Sequence, residues 1–376
     1  MPQPATVADM NTNDVTRPIA AGASVQPSRE GTPPFLSIGL PVYNGSLHLA
    51  EAIESLLSQD IDDLELVICD NASTDATPQI CADYASKDGR IRYVRNDMNI
   101  GAAANFNLAF ELCDGTHFMW ASHDDVWEPQ FASTCIAKLE LHPEAVLCTS
   151  QVQLIGDDGH PKAETYHSMD TTGMSASERV LELLRRPVWY DMYSVFRPSA
   201  LRSTGMYSPT FGGDVHLLLE LALLGDFLTV PDVLLKYRIP DTLKTPSQMT
   251  TEIGVHTEKR EQHEEPWSFL ARDLADVIKA SDLGSAAIDG IVAAFVQQLA
   301  TRDSSWGRAI MRERGWVILP PDRVARREVQ ATLRPQTPLS PSAIALKRLQ
   351  SSVVRVGKRV KAAGRRLRQL LNRGRT

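Results

Sequence analysis

The sequence lacks any run of about 18 uninterrupted apolar residues, the length that a membrane-spanning helix requires. Its N-terminus also lacks the basic start and apolar core of a secretory signal, so we expect a cytoplasmic protein. The five cysteines are an odd number and form no CxxC pair, which predicts reduced structural thiols rather than disulfides or a zinc site. No GxGxxG loop follows the first predicted strand, and this absence argues against a dehydrogenase.

Acidic residues are missing from only one long segment, the C-terminal one. Residues 331–376 contain twelve Lys and Arg and no Asp or Glu, whereas residues 1–330 contain 27 basic and 46 acidic side chains. Because the acidic body repels a polyphosphate backbone, we expect no nucleic-acid partner. Residues 1–33 are rich in Pro, Ala, Thr and Ser without apolar periodicity, and we predict a disordered leader there.

Segments with strand and helix spacing alternate four times from residue 35 onward. The strand-like segments are 35–44, 64–71, 91–96 and 117–125, and helical spacing follows them at 46–59, 74–87, 102–113 and 129–141. This alternation predicts an α/β fold with a mostly parallel, Rossmann-like sheet flanked by helices. Ligands of such sheets bind beyond the carboxyl ends of the strands.

Acidic side chains stand where two of these apolar strands stop. Asp70, followed by Asn71, ends the second strand, and Asp124 with Asp125 ends the fourth. Asp and Asn also terminate strands and form turns without any further role. Because both clusters fall at the same edge of the predicted sheet, we interpret them as two walls of one ligand cleft.

Four separated blocks of the sequence resemble the family 2 glycosyltransferases, which are nucleotide-sugar-dependent enzymes with the GT-A fold. The blocks are LSIGLPVYNGSLHLAEAIESLLSQ, DNASTD, NIGAAANFNLAFELCDG and FMWASHDDVW, and the similarity covers residues 35–240. A nucleotidyltransferase would share the strand rhythm, but it would carry a Gly-rich loop with Arg and Lys in place of PVYN at 41–44. The resemblance therefore implies a glycosyltransferase.

The resemblance also implies a division of the chain. A GT-A domain at 34–245 would comprise a nucleotide-sugar half at 34–127 and an acceptor half at 128–245. We interpret residues 246–330 as a helical extension, because they contain helical stretches but no catalytic spacing.

The family's DxD motif, which holds a divalent cation, aligns with Ser122, His123 and Asp124. The resemblance implies Mn²⁺ or Mg²⁺ on Asp124 and Asp125, with Ser122 in place of the first Asp. A hard cation needs one or two carboxylates when a donor diphosphate supplies further oxygens. By the same resemblance, these residues bind the nucleotide sugar: Pro41, Tyr43, Asn44, Asp70, Asn71, Asn99, Gly101, Asn105, His123, Asp124 and Arg238. A hydrogen-bonding role at the strand end is the alternative for His123.

Asp214 is the candidate base that removes the acceptor's proton during an inverting transfer. It follows a pair of glycines and opens an apolar helical segment at 211–227, where the family carries its acidic base. An N-cap is the alternative interpretation, because Asp commonly begins helices. Glu220, farther along the same segment, is the second candidate base.

The basic tail at 331–376 has the pattern of an amphipathic helix. Its apolar residues recur at spacings of three and four from Leu346 to Leu370, and Lys and Arg fill most remaining positions. We predict that residues 345–371 bind an anionic membrane surface, which would hold the protein at the inner face of the plasma membrane. One alternative is a solvated tail that folds back on the acidic body, and another is a tail that binds nucleic acid.

Together these features predict an inverting glycosyltransferase of polysaccharide biosynthesis. It would move a sugar from a nucleotide-sugar donor to a glycan or lipid-linked acceptor. Ser122 leaves a second interpretation open, a catalytically weak GT-A domain that binds a nucleotide sugar or a glycan.

Overall fold

A computed structural model describes residues 33–185, 190–239 and 266–300. The strands are β1 (Leu36–Val42), β2 (Leu64–Asp70), β3 (Ile91–Arg95), β4 (His117–Trp120), β5 (Val126–Trp127), β6 (Ala145–Ile155), β7 (Pro161–Tyr166), β8 (Val195–Phe196) and β9 (Asp226–Arg238). The helices are α1 (Leu49–Leu57), α2 (Thr77–Lys87), α3 (Ala102–Glu111), α4 (Phe131–Glu140), α5 (Ala176–Arg185), α6 (Pro198–Arg202), α7 (Gly213–Leu224), α8 (Pro266–Ala280) and α9 (Ser285–Ala300), with a 3₁₀ helix at Tyr190–Tyr193. Residues 1–32 of the predicted leader and the predicted tail lie outside the described residues.

The strands form one sheet in the order β3-β2-β1-β4-β8-β6-β9-β5, and β7 pairs with β6. Strands β1 to β4 pair in parallel, as do β6 and β9. The two-residue strand β8 lies antiparallel between β4 and β6, and β5 and β7 are antiparallel to their neighbours. The predicted α/β sheet flanked by helices is confirmed, with antiparallel pairs confined to the half beyond β4.

Alternation along the strands divides the core between the two faces of the sheet. In β4, Phe118 and Trp120 face one apolar cluster, whereas Met119 faces the other. The first cluster includes residues of α3, α5, α7, α8 and α9, and the second includes residues of α1, α2 and α4. Helices on both faces explain why β1 is buried along its whole length and carries almost no polar side chain.

The described part of the predicted extension consists of α8 and α9. Helix α8 packs against α7, and α9 packs against α5. Leu270, Leu274 and Ile278 of α8 and Ile291 and Phe295 of α9 are buried in the same cluster as Phe118. This part of the extension therefore shares a core with the sheet.

All five cysteines are buried free thiols, and burial raises the pKa of Cys69 and of Cys81 to about 12. No helix among the described residues has the length and apolar character to cross a bilayer.

Candidate active site

Four connections meet beyond the carboxyl ends of β1 to β4. They are residues 43–48, 71–76, 96–101 and 121–125, and the parallel register places their strands side by side. The main-chain N–H of Asn71 donates to the carbonyl of Val42 at 2.8 Å, and that of Asn96 donates to the carbonyl of Asp70 at 2.9 Å. The structure thus brings the predicted donor-site segments to one edge of the sheet.

The loop after β1 is bound to the loop after β2. Asn44 has a positive φ of 52°, and its main-chain N–H donates to Ser73 Oγ at 2.9 Å. Its side-chain oxygen in turn accepts from the N–H of Thr74 at 2.8 Å. Pro41 is buried inside β1, whereas the neighbouring Tyr43 is 46% exposed. Tyr43 is therefore the residue of this wall whose ring is accessible to a ligand.

Asp70 is completely buried, and protein groups surround its carboxylate. One oxygen accepts from the main-chain N–H of Ser73 at 2.9 Å, and the other accepts from Tyr93 Oη at 2.8 Å and Arg95 Nε at 3.1 Å. Arg95 also donates to the carbonyl of Ser73 at 2.9 Å. The buried carboxylate of Asp70 thus fixes the loop after β2 through these hydrogen bonds.

Asn71 organises the loop after β3. Its amide nitrogen donates to Oδ1 of Asn99 at 2.9 Å and to the carbonyl of Gly101 at 3.2 Å. Its amide oxygen accepts from the N–H of Ile100 at 2.9 Å and from Asn96 at 3.2 Å. Because an amide has two N–H donors and two acceptor positions, these partners use its full capacity.

Asn105 and Gly101 support the same loop. Buried Asn105 donates to the carbonyl of Cys69 at 2.8 Å and accepts from Asn96 at 3.0 Å. Gly101 has a φ of 87°, which other residues rarely adopt, and it immediately precedes α3. Among these predicted donor residues, Asn99 lies exposed at the surface.

The second acidic end follows β4. Asp124 is half-buried, and one of its carboxylate oxygens accepts a hydrogen bond from the hydroxyl of Ser122. The ring of His123 packs on Gly45, where a Cβ would lie 2.4 Å from His123 Cδ2. Ser122, the residue that departs from the DxD pattern, is thus a direct partner of Asp124.

Asp125 points the other way. Its side chain is buried, Oδ1 accepts from the main-chain N–H of Arg238 at 2.7 Å, and Oδ2 has no partner among the described residues. Burial raises the pKa of Asp125 well above its ordinary value, and the nearby charge of Asp124 raises it further. A buried carboxyl that favours its neutral form is a poor ligand for a hard cation. The geometry therefore disagrees with our prediction that Asp125 binds metal.

Arg238 is buried, and its guanidinium holds several segments together. Nε donates to the carbonyl of Asp124 at 2.7 Å, Nη1 donates to the carbonyl of Gly156 at 2.9 Å, and Nη2 pairs with Glu51 at 2.7 Å. With 2% of the side chain exposed, Arg238 supports the cleft from within.

His48 is a residue of this region that sequence reasoning missed. Burial lowers the pKa of His48, and the charge of Arg238 lowers it further, while Asp124 and Glu51 act in the opposite direction. Its Nε2 is buried without a partner among the described residues. The available signal was its place in the loop after the first strand, at the same sheet edge as Asp124.

Asp214 lies in the first turn of α7, whose N-cap is Gly212. The N-cap interpretation of Asp214 is therefore wrong. Its Oδ1 accepts from the main-chain N–H of Val215 at 2.8 Å. Burial raises the pKa of Asp214 to about 6, and the main-chain hydrogen bonds oppose that shift without cancelling it. A carboxylate with this pKa is a stronger base than an exposed Asp and is largely ionised at neutral pH.

Tyr193 ends the 3₁₀ helix, which contacts both β4 and α7. Burial raises its pKa well above the ordinary value, and the charges of Asp125, Asp124 and Asp214 all add to the increase. The hydroxyl of Tyr193 is thus within electrostatic range of both the β4 end and the start of α7. The charges of Asp124 and Asp214 thus act on one phenol, although 90 residues separate the two carboxylates in sequence.

Glu220, the second candidate base, lies farther along α7. Its Oε2 accepts from the main-chain N–H of Gly205 at 2.9 Å, and Oε1 lies 3.7 Å from Nε2 of His216. These contacts give Glu220 a role in fastening α7 to the preceding loop.

The described residues contain no group of three or more His, Cys, Asp or Glu side chains that could hold a metal by themselves. Asp124, which is half-buried at the end of β4, is the predicted metal ligand that stays open to ligand oxygens. That arrangement fits Mg²⁺ or Mn²⁺, which often bind one or two carboxylates together with substrate phosphates.

Comparisons with known proteins find similar sequences in one family. Residues 37–199 match the model of the family described as glycosyl transferase family 2. Chondroitin synthase of Escherichia coli is 36% identical over 103 residues, which cover 27% of this chain and 15% of that protein. The uncharacterized glycosyltransferase RP339 of Rickettsia prowazekii is 36% identical over 96 residues, which cover 26% of this chain and 29% of that protein. The matched segments thus span under a third of either relative.

Solved structures share the fold over a longer part of the chain. The crystal structure of S. aureus TarS residues 1–349 in complex with UDP has a TM-score of 0.53 and 19% identity, and the match covers 70% of this chain and 71% of that one. A complex of the same protein with UDP-GlcNAc has a TM-score of 0.53 and 17% identity, covering 74% of this chain and 80% of that one. The architecture is therefore that of the GT-A glycosyltransferases.

Proposed function

We propose that this chain, whose residues 37–199 belong to glycosyl transferase family 2, moves a sugar from a nucleotide-sugar donor to a glycan or lipid-linked acceptor with inversion at the anomeric carbon. The 3₁₀ helix that ends at Tyr193 contacts both β4, which Asp124 follows, and α7, which carries Asp214, and this arrangement carries the proposal. An inverting transfer needs stabilisation of the leaving group on one face of the sugar and a base on the other. Asp124 and Asp214 are both half-buried, so each carboxylate is held in place while part of it stays open to a ligand.

Asp214 acts as the base in this proposal. Its carboxylate accepts the proton of the acceptor hydroxyl as that oxygen attacks the anomeric carbon. With a pKa of about 6, it is mostly unprotonated at neutral pH and still takes up a proton during the reaction. The ring of Tyr207 packs on Gly213, next to the base, where a Cβ would lie 3.0 Å from its Cε1.

Asp124 binds the cation in this proposal. Bound Mn²⁺ or Mg²⁺ would offset the charge that grows on the departing diphosphate. Asp124 is half-buried at the strand end, and the Ser122 hydroxyl occupies one of its oxygens, so the carboxylate is oriented before any ligand binds. Asp125 takes no part, since its carboxyl is buried against the N–H of Arg238.

The predicted donor residues divide into two groups. Tyr43, Asn44, Asn99, His123 and Asp124 lie at or near the surface of the cleft and contact the nucleotide sugar in our proposal. The other six, Pro41, Asp70, Asn71, Gly101, Asn105 and Arg238, are buried and support the loops that carry the first group. The complexes of TarS with UDP and UDP-GlcNAc support a nucleotide-sugar donor at a fold of this kind.

A donor screen tests the proposal. The full-length protein would be incubated with a panel of UDP-, GDP- and dTDP-sugars and Mg²⁺ or Mn²⁺, and nucleotide release would be measured. We expect release from at least one donor, loss of that release in Asp214→Asn, and inversion of the anomeric configuration in the product. Saturable binding of a nucleotide sugar without any release would instead favour the binding-module interpretation of the domain.

For localisation we propose attachment of residues 345–371 to an anionic membrane at the inner face of the plasma membrane, close to lipid-linked acceptors. The tail lies outside the described residues, and its basic amphipathic pattern is the support for this proposal. Co-sedimentation with vesicles rich in phosphatidylglycerol would compare the full chain with a chain ending at Pro341. Equal pelleting of both, or of neither, at moderate salt would contradict membrane attachment.

A further inference from the structure

One face of α8 covers the segment that presents Asp214. Trp267, Leu270 and Asp273 are spaced three residues apart, so they lie on one side of the helix. Each contacts a residue between 211 and 216, and Asp214 lies within that range. The matched family region ends at residue 199, so both α8 and this segment lie beyond it.

The central contact explains the pair of glycines before Asp214. Gly212 has a φ of +75°, and a Cβ there would lie 2.4 Å from Cδ2 of Leu270. At Gly213 a Cβ would lie 2.1 Å from the carbonyl oxygen of Ser208. The turn that begins α7 is therefore packed between α8 on one side and the preceding loop on the other. Only glycine fits both positions without movement of these neighbours.

Contacts on both sides of this turn fix its orientation. The rings of Trp267 and Phe211 meet edge to face with centroids 5.2 Å apart. One turn beyond Leu270, Asp273 Oδ2 lies 2.5 Å from His216 Nδ1. His216 is two residues beyond Asp214, so the attachments of α8 lie on both sides of the base.

The ion pair at His216 also connects α7 to the loop before it. Nε2 of His216 lies 3.7 Å from Glu220, whose other oxygen accepts from the main-chain N–H of Gly205. Burial lowers the pKa of His216, but the hydrogen bonds and charges of Asp273 and Glu220 outweigh it and raise the pKa to about 9. The imidazole is therefore cationic at neutral pH, and both carboxylates favour that form.

We propose that α8 belongs to the catalytic apparatus, with Leu270 and Asp273 as positioning residues that hold the Gly212–Gly213 turn so that Asp214 stays screened from water and directed at the acceptor. The proposal rests on the function proposed above, in which Asp214 is the base. Neither Leu270 nor Asp273 contacts the acceptor in this scheme. They act through the turn and through His216.

A positioning role predicts a change in the chemistry of Asp214 as well as in stability. Removing the Leu270 side chain opens a path for water beside Gly212, and hydration favours the charged carboxylate. The pKa of Asp214 should then fall toward that of an exposed Asp, and a weaker base gives slower proton transfer. The charge of Asp214 acts on the phenols of Tyr207 and Tyr193, and burial raises the pKa of both, so they do not titrate in this range. His216, two residues beyond Asp214, stays cationic below its pKa of about 9.

A direct titration of Asp214 tests the proposal without a substrate. Full-length protein labelled with ¹³C at Asp carboxyl groups would be titrated by NMR, and the Asp214 signal would be assigned by its absence from Asp214→Asn. We expect a midpoint near the value of about 6 in the wild type. In Leu270→Ala we expect a midpoint that is lower by roughly one pH unit. In Leu270→Met, which keeps an apolar side chain over Gly212, we expect the wild-type midpoint.

Ile291→Ala is the matched control. Ile291 is 1% exposed in the same apolar cluster, but it lies on α9, which packs against α5. The Ile291→Ala variant should lose as much thermal stability as Leu270→Ala, but the midpoint of the Asp214 titration should stay at the wild-type value.

Asp273→Asn provides a second test of the proposal, because this substitution weakens the ion pair with His216 and leaves the contact between Leu270 and Gly212 intact. We expect it to lower kcat roughly tenfold with little change in KM for the donor.

The results separate failure of this inference from failure of the proposed function. If the Asp214 midpoint in Leu270→Ala and the kcat of Asp273→Asn both equal wild-type values at temperatures where the variants are folded, α8 is a structural support only. If Asp214→Asn still releases nucleotide and transfers sugar at the wild-type rate, the base assignment fails, and the role of α8 in positioning a base fails with it. An unchanged midpoint in Leu270→Ala together with inactive Asp214→Asn would overturn the water-screening role of α8 alone.

Discussion

The main-chain N–H of Arg238 donates a 2.7 Å hydrogen bond to Oδ1 of Asp125. The guanidinium of Arg238 donates from Nε to the carbonyl of Asp124, also at 2.7 Å. The end of β9 therefore holds both acidic residues that follow β4. It draws the Asp125 side chain inward and leaves the Asp124 carboxylate beside the cleft.

Asp125→Asn should preserve activity within about threefold, because Asn reproduces the neutral form that burial favours. Its amide oxygen can accept from the N–H of Arg238 as Oδ1 does now. The pKa of Asp125 is raised in the folded state, so its contribution to stability falls as pH increases above about 3.8. At pH 7 the variant should be at least as stable as the wild type in urea unfolding.

Asp125→Ala provides the contrast, since it leaves the N–H of Arg238 without its acceptor and should cost about 1–3 kcal/mol. A large rise in the Mn²⁺ concentration needed by Asp125→Asn would restore the metal-ligand assignment for Asp125.

Asp124→Ala should reduce turnover by about a hundredfold or more at saturating metal, because it removes the carboxylate that we propose holds the cation. Nucleotide release over a range of Mg²⁺ and Mn²⁺ concentrations measures the effect. Asp232→Ala, at an exposed position in β9, is the control and should behave as the wild type. Turnover of Asp124→Ala within twofold of the wild type would contradict the assignment.

Asp214→Asn should abolish transfer while donor affinity stays nearly unchanged, since the amide keeps the shape of the side chain but does not accept the proton. In the wild type, the transfer rate should fall as pH decreases through about 6, where the carboxylate becomes protonated. Single-turnover rates between pH 5 and pH 8, with isothermal titration of the donor, separate the two effects. Residual transfer above about a tenth of the wild-type rate would favour a structural role for Asp214.

The charged His216 should stabilise the folded chain in a pH-dependent way. Its folded-state pKa of about 9 exceeds the ordinary histidine pKa of 6.5, so this stabilisation is complete below about 6.5 and is lost as pH rises through about 9. A shift of this size corresponds to at most about 3 kcal/mol. Urea unfolding at pH 6.5 and pH 9.5 should show this loss in the wild type and not in His216→Gln.

His142→Gln is the control for that experiment, because His142 pairs with Glu144 at a more exposed site and should contribute little. A wild-type stability that is the same at both pH values would refute the stabilising role of the His216 pair.

The sequence determined the first half of the sheet. Each of β1 to β4 is an apolar run followed by helical spacing, and both patterns arise from contacts between residues close in the chain. The position of Asp70 and Asp124 at one sheet edge followed from that alternation alone, because parallel strands connected by helices carry their carboxyl ends to the same side. The helix that carries Asp214 was recognisable for the same reason.

Tertiary structure decided which of these side chains remain available to a ligand. Asp124 and Asp125 are adjacent and chemically alike, yet a partner 113 residues beyond Asp125 takes that carboxyl into the interior. Two further features produce no recognisable residue spacing in the sequence. They are the two-residue strand β8 and the contact of Leu270 with Gly212. Sequence spacing records how a segment folds against its own neighbours, whereas burial and ion pairing depend on segments that meet only after the whole sheet and its helices have assembled.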